Sequence, residues 1–302
     1  MWLGAHIGIA TGLPEAPGIG RSIGCEAIQI FSKSPQMWKG APIPPESASG
    51  FRDAVQREGL HATAVHHGYL ANLASPKKAM LTRSRKAFVE ELERAQLLGV
   101  DALIVHPGAH LASGVDAGLA TIVASLDFAF EKTPENPVRV LLENAAGQGT
   151  ALCGRFEELA TVLSGVESTG RVGVALDTCH LFANGFDFRT EETYGPLVDS
   201  IHATFGEDRV RAFHLNDAKA DLGSHLDRHE NIGKGKIGLE GFGPLLRDAR
   251  WTNVPGYLET PLDEDGYSLY ATDLAALRSL VKESQRPPAE HPGEPRRRSS
   301  SK

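Results

Sequence analysis

Short apolar, β-rich runs recur along the chain at residues 5–10, 27–31, 62–67, 102–106, 138–143, 172–177, 210–216 and 257–260. Most are continuous rather than alternating, the pattern of parallel strands covered on both faces. Amphipathic stretches separate them. The clearest spans 77–98, where Ala79, Phe88, Leu92, Ala95 and Leu98 line one side of a helix and charges the other. Residues 44–58, 116–131, 156–163, 191–202, 239–248 and 267–282 read as companion helices. Eight strands alternating with helices predict a single (β/α)8 TIM barrel over residues 1–283. A doubly wound open sheet is the alternative.

From Ser284 the pattern stops. The segment SQRPPAEHPGEPRRRSSSK has four prolines and no aliphatic side chain larger than alanine, so residues 284–302 read as a disordered basic tail. The closing Arg296-Arg297-Arg298 helps give it a charge of +3, which leaves −10 on residues 1–283 and −7 on the whole chain of 302. At face value that acidity argues against a polyanionic partner. Three scattered cysteines, Cys25, Cys153 and Cys179, form no CxxC and suit a reducing, cytoplasmic setting. No secretory leader and no run near the roughly 20 apolar residues of a bilayer span is visible, so a soluble protein without a membrane partner is expected.

Polar residues fall where the strands end. The third run closes on His66-His67, the fourth on His106-Pro-Gly, and the fifth on Glu143-Asn144. The sixth closes on Asp177-Thr-Cys-His180, the seventh on His214-Leu-Asn-Asp217, and the eighth on Glu259-Thr; a polar loop adds Asp227-Arg-His229. In a barrel these ends converge on one mouth, where active sites sit. Singly, each residue reads as a satisfied strand-end polar group or an ion pair. Together, four carboxylates repel unless a cation intervenes or protons are taken up. Imidazole with carboxylate suits Zn²⁺, Mn²⁺ or Fe²⁺. Nine such groups exceed one tetrahedral ion and fit three, with one carboxylate bridging. Polynuclear sites of this kind chiefly serve phosphate-ester hydrolysis.

Longer stretches carry a resemblance. GAH (4–6), QIFSK (29–33), YLANL (69–73), HPG (106–108), LLENAAGQGT (141–150), ALDTCHLFANGFDFRT (175–190), FHLNDAK (213–219), DRHENIGKGKIG (227–238) and LET (258–260) are similar to the endonuclease IV family of abasic-site (AP) endonucleases. The likeness covers roughly residues 3–262 and implies a xylose-isomerase-like TIM barrel with three zinc-type ions, Mn²⁺ or Fe²⁺ being alternatives at individual positions. By this resemblance His66, His106 and Glu143 hold the first ion. Glu143, Asp177, His214 and Glu259 hold the second, and His180, Asp227 and His229 the third. Tyr69-Leu70 fixes the alignment that makes His66, not His67, the ligand.

The implied reaction is hydrolysis of the phosphodiester 5′ to an abasic deoxyribose in duplex DNA, giving a 3′-hydroxyl and a 5′ sugar phosphate. A hydroxide between the first two ions, with Glu143 beside it, would attack in line while the third ion stabilises the departing oxygen. Processing of blocked 3′ ends is left open. Family members grip the lesion with the loop after the second strand and the loop holding Tyr69 and Leu70. Gln36 stands where the family often has arginine, so it fills space without charge. A monomer suffices for one lesion, and no nucleotide cofactor is implied. Three divalent ions would cancel most of the −7, so the acidic count no longer excludes DNA.

Other signals carry less. Gly233-Lys-Gly-Lys-Ile-Gly238 matches GxGxxG but follows a polar loop rather than a strand, so a loop near phosphates is expected instead of a dinucleotide site. Cys179 is expected to point away from its ligand neighbours into the core. His110 and His225 read as loop residues rather than further ligands. Two competing functions are a sugar isomerase or epimerase of the xylose-isomerase-like barrels, which does not require the full nine-residue set, and a non-catalytic binder of damaged DNA.

Overall fold

The computed structural model describes residues 1–262 and 266–283. The expected tail, with Arg296-Arg297-Arg298, lies outside the described residues. Eight strands close into a barrel: β1 (Trp2–Ile7), β2 (Ala27–Ile30), β3 (Ala62–His66), β4 (Ala102–Val105), β5 (Arg139–Glu143), β6 (Val172–Asp177), β7 (Val210–His214) and, later in the chain, β10 (Pro255–Leu258). Each pairs in parallel with its neighbours in sequence, and β10 closes the circle between β7 and β1. A two-stranded antiparallel ribbon, β8 (Asp217–Ala218) and β9 (His229–Glu230), lies in the long connection after β7.

Around the barrel run α1 (Ala16–Ser22), α2 (Pro45–Glu58), α3 (Lys78–Leu98), α4 (Val115–Lys132), α5 (Phe156–Gly165), α6 (Thr178–Ala183), α7 (Glu191–Thr204), α8 (Gly243–Arg247) and α9 (Ser268–Glu283). The main core fills the space between strands and helices, where Val65, Leu103, Val140 and Leu142 meet Phe51, Phe88, Leu92 and Phe156. Among the described residues no helix is long and apolar enough to cross a membrane.

The barrel interior is smaller and positions the site. Its apolar residues are mostly alanines: Ala27, Ala62, Ala64, Ala102, Ala175 and Ala212, with Ile104, Leu141 and Tyr257. Strand side chains alternate between faces with a period of two. The inward rows therefore continue from Ala27 to Gln29, Ala64 to His66, Ile104 to His106, Leu141 to Glu143, Ala175 to Asp177, Ala212 to His214 and Tyr257 to Glu259. Glycine at position 4 lets β1 close on β2, because a Cβ there would lie 1.9 Å from the Ala27 carbonyl oxygen.

Three expectations need correcting. The first strand is Trp2–Ile7 rather than 5–10, since Trp2 is in register with Pro255 and Gly4 with Ala27. Helices α1 and α6 and the β8–β9 ribbon are not apparent in the pattern, being too short to show a period. The helix expected at 239–248 divides into a 3-10 turn (Leu239–Phe242) and α8, where Pro244 in the first turn starts a new helix.

Candidate metal centre

The inward rows of β3–β7 and β10 deliver their last polar residues to one spot at the barrel mouth. His66 Nε2 lies 3.1 Å and His106 Nε2 3.5 Å from the same Glu143 oxygen, Oε2. The other oxygen, Oε1, faces His214 Nδ1 at 2.9 Å, and that nitrogen lies 3.2 Å from Glu259 Oε2. Asp177 ends β6 and caps α6: its Oδ1 accepts the His180 N–H at 2.7 Å. That abrupt strand-to-helix turn brings His180 back over the mouth, with Nε2 3.2 Å from Asp227 Oδ2. His229, held on β9 opposite Ala218, places Nε2 3.2 Å from Asp227 Oδ1. All nine residues expected from the sequence thus meet, in overlapping groups whose donor atoms lie within 4.8 Å of one another, among them His66/His106/Glu143, His66/His214/Glu259, Glu143/Asp177/His214/Glu259 and His180/Asp227/His229. Glu143 belongs to two of them.

Their outward atoms are already committed. His66 Nδ1 donates to the His67 carbonyl at 2.8 Å, His180 Nδ1 to that of Asn144 at 2.8 Å, and His229 Nδ1 to that of Glu259 at 3.2 Å. A carbonyl only accepts, so each ring carries its proton outside and turns Nε2 inward, as metal-bound histidines do. Asn216 donates to Asp177 Oδ2 at 2.6 Å and accepts the Glu259 N–H at 2.9 Å; Asn144 Oδ1 accepts the Asp177 N–H at 2.7 Å.

The charge balance also fits a cation. Burial pulls His214 down, but Glu259 and Glu143 outweigh it and raise the imidazole to about 9. His229 is likewise lowered by burial yet raised to about 9 by Asp177 and Asp227, and His180 rises for the same reasons. Glu143, Asp227 and Glu259 are held below the ordinary carboxylate range by these imidazoles, against burial. His180 Nε2 and His229 Nε2 are buried and each meets an oxygen of Asp227 as an ion pair at 3.2 Å. Two imidazole nitrogens and a carboxylate that converge in this way form a donor set of the kind a divalent ion takes.

Flanking the centre, Tyr69 is exposed, with its ring centroid 6.0 Å from that of His66 and 6.1 Å from that of His106. A groove of about 420 Å³ runs between Tyr69, Leu70, Asn72, His106, Ala145 and Asp227. Gln36 is exposed on the β2–α2 loop, which abuts the Tyr69 loop where a Cβ on Gly68 would meet the Pro35 carbonyl at 2.8 Å. That loop is anchored by buried charge: Lys33 pairs with Glu91, Ser32 Oγ donates to Glu91, and Arg94 donates to Ser32 Oγ and the Ala41 carbonyl at 2.7 Å each.

His67 faces the other way, buried against Phe88 with ring centroids 5.6 Å apart. Burial pushes its imidazole down to about 3. His110 and His225 are loop residues that bond backbone atoms and lie outside these groups. Cys179 is buried in the core as expected, but it does not point clear of its neighbours: its sulfur lies within 4.8 Å of donor atoms of Asp177 and His229. Residues 178–180 are helical, so strand alternation does not turn it away. The thiol donates to the Arg228 carbonyl at 3.6 Å, and burial raises its pKa. In the glycine-rich segment the N–H groups of Gly233, Gly235, Ile237 and Gly238 are taken by Asp217, so they are not free to cradle a phosphate. The sequence reading assigned no role to His6, Gln29, Asn144 or Asn216. For His6 and Gln29 the signal was present: each is a polar residue on the inward row of an otherwise apolar strand.

The closed barrel and its mouth define a xylose isomerase-like TIM barrel, and the family model of that description matches residues 19–280. Relatives named probable endonuclease 4 align with almost the whole chain. That of Chloroflexus aurantiacus is 42% identical over 279 residues, 92% of this chain and 98% of its own. That of Geobacter sulfurreducens is 42% identical over 282 residues, 93% of this chain and 95% of its own. The crystal structure of endonuclease IV from Thermus thermophilus superposes with a TM-score of 0.82 at 32% identity, covering 94% of this chain and 100% of that one. The chain belongs to the endonuclease IV family. D-Psicose 3-epimerase from Clostridium cellulolyticum, at 16% identity and a TM-score of 0.64, shares the fold alone.

Proposed function

We propose that this protein is a metal-dependent AP endonuclease that hydrolyses the phosphodiester 5′ to an abasic site in duplex DNA, leaving a 3′-hydroxyl and a 5′ deoxyribose phosphate. The observation that carries the reading is the convergence of nine donor residues in overlapping groups, with Glu143 common to two, in a chain of the endonuclease IV family. His66, His106 and Glu143 would hold one ion, Glu143, Asp177, His214 and Glu259 a second, and His180, Asp227 and His229 a third. Zinc is the ion assigned, with Mn²⁺ or Fe²⁺ compatible with the same donors. When bound, such ions supply the Lewis acidity that activates water and offsets charge on the departing oxygen.

The protein's own groups do the rest. Glu143 stands at the centre of the mouth, where its carboxylate can orient the attacking water and take its proton. Tyr69 and Leu70 rise beside His66 and His106 and would pack against a nucleotide turned out of the helix, while Gln36 on the adjoining loop fills the gap left behind. An abasic nucleotide has no base to unstack, so turning it out costs less than flipping an intact one. That difference gives selectivity without reading sequence. The same in-line hydrolysis at a 3′ terminus would remove blocking phosphoesters. The protein acts as a monomer in this reading, since every proposed donor comes from one chain.

The test is metal analysis of the purified protein, followed by incubation, without added Mg²⁺, with a duplex carrying one tetrahydrofuran abasic analogue. Three ions per chain and a single cut that leaves a 3′-hydroxyl are expected. One ion without cleavage would point to a sugar-type barrel, and tight binding without cleavage to a non-catalytic damage binder.

A further inference from the structure

Three of the cluster's histidines are oriented by backbone carbonyls, but His214 is oriented by a side chain. Gln29 is fully buried on the inward row of β2, in register with His6 of β1. Its Nε2 lies 2.6 Å from Glu259 Oε1 and 2.9 Å from His6 Nδ1, and its Oε1 lies 2.9 Å from His214 Nε2. One amide thus joins residues of β1, β7 and the end of β10.

The two ends of an amide are chemically distinct, which settles the orientation. An ionised carboxylate only accepts, so the NH₂ end of Gln29 faces Glu259. Its second N–H is then directed at His6 Nδ1, which accepts. The carbonyl oxygen is left for His214 Nε2, which must carry the proton. His214 Nδ1 is therefore the ring nitrogen that faces the cluster, 2.9 Å from Glu143 Oε1 and 3.2 Å from Glu259 Oε2, and it too carries a proton in the metal-free protein because both carboxylates only accept. A ligating cation would displace that proton alone, while Nε2–H stays on the Gln29 carbonyl. The same amide holds Glu259 by one oxygen and leaves Oε2 toward the cluster.

We infer that Gln29 is a positioning residue for His214 and Glu259, holding the first by its Nε2–H with Nδ1 toward the cluster and fixing the orientation of the second. The inference rests on the metal reading above. Partners that orient metal ligands in this way are worth about 10- to 100-fold in metal affinity. Gln29 should act on the group that includes His214 and Glu259 and leave the His180/Asp227/His229 group unchanged.

The test compares wild type with Gln29→Leu and Gln29→Met, two apolar replacements of similar length, so that a folding failure of one leaves the other. ¹H–¹⁵N NMR of the imidazoles reads the His214 Nε2–H directly. Wild type is expected to show it as a hydrogen-bonded, slowly exchanging proton, and the variants to lose that protection. Competition with a chromophoric chelator should show one class of zinc weakened about 10- to 100-fold, with the remainder as in wild type. Gln29→Glu should restore the protected Nε2–H, because its carboxylate still accepts from Nε2, but not the affinity, because it repels Glu259. A folded Leu or Met variant that keeps the His214 Nε2–H protected as in wild type overturns the inference. A wild-type protein that binds no metal overturns the metal reading instead, and the NMR result still decides what Gln29 does.

Discussion

The buried carboxylate of Asp217 accepts the backbone N–H of Ile237 at 2.9 Å, across 20 residues of chain. It also takes N–H groups from Gly233 at 3.0 Å, Gly235 at 3.1 Å and Gly238 at 3.2 Å. The glycine-rich segment is therefore wrapped round an anion that the protein itself supplies. Gly235 is required there, because a Cβ would lie 2.4 Å from Asp217 Oδ1 and from the Ala218 carbonyl. Asp217 is adjacent to Ala218, which pairs with His229, so the wrap also steadies a proposed ligand.

Replacing Asp217 by Asn removes the charge and turns an NH₂ group toward backbone donors. Hydrogen bonds to a charged group are worth about 1.5–3 kcal/mol each, so Asp217→Asn should cost about 3 kcal/mol of stability. Amide exchange at 233, 235, 237 and 238 should quicken well before global unfolding. Unchanged protection at those four amides in a folded variant would contradict the assignment.

Gln36 tests the proposed DNA-facing surface. It is exposed, on the loop that touches the Tyr69 loop. Gln36→Arg would add a cation where a duplex is proposed to lie. Duplex affinity should rise several-fold at low salt, and the slope of log K against log salt should steepen by about 0.9 if one phosphate is engaged. A titration that superimposes on wild type at every salt concentration would remove Gln36 from the interface.

The barrel was legible because continuous apolar strands alternating with amphipathic helices leave few other architectures. The strand-end residues were legible because a barrel gathers strand ends at one mouth. Gln29 and His6 were not assigned because reading strands as uniformly apolar ignored their alternation, although Gln29 stands on the same face as Ala27. Asp217 was passed over because its partners lie 16 to 21 residues away in a segment with no regular period. The nearness of Cys179 to Asp177 and His229 was not legible because Asp177 starts a helix at the point where a strand was expected to continue.

Glu91 holds the loop that carries Gln36. It is almost fully buried, pairs with Lys33 and accepts from Ser32. Burial and the nearby Arg94 push the Lys33 ammonium down to about 8. Glu91→Gln would leave two cations together in a site with little water. Breaking a buried pair from one side costs about 3–5 kcal/mol, which is the loss expected in denaturant unfolding. In whatever fraction remains folded, KM for an abasic duplex should rise more than kcat falls, because the loop is proposed to lie at the DNA and not at the cluster. An unaltered KM would separate the anchor from substrate binding.

Metal uptake should release protons, and the sign follows from the cluster. In the metal-free protein His214 and His229 are raised to about 9, burial being outweighed by the surrounding carboxylates, so both rings are charged at pH 7. A ligating imidazole must present a lone pair, so zinc has to displace those protons. Calorimetric titration of the metal-free protein at pH 7 should give heats that change with the ionisation enthalpy of the buffer, and the apparent affinity should climb from pH 6 to pH 9. Stability of the metal-free protein should move the other way. Groups raised above their unfolded value of about 6.5 stabilise the fold fully below that pH and lose the contribution as pH rises through about 9. The metal-free protein should therefore melt at a lower temperature at pH 9 than at pH 6.5, whereas the zinc-loaded protein should not show that loss. Affinity that stays flat between pH 6 and pH 9, with buffer-independent heats, would mean that zinc does not bind through these imidazoles.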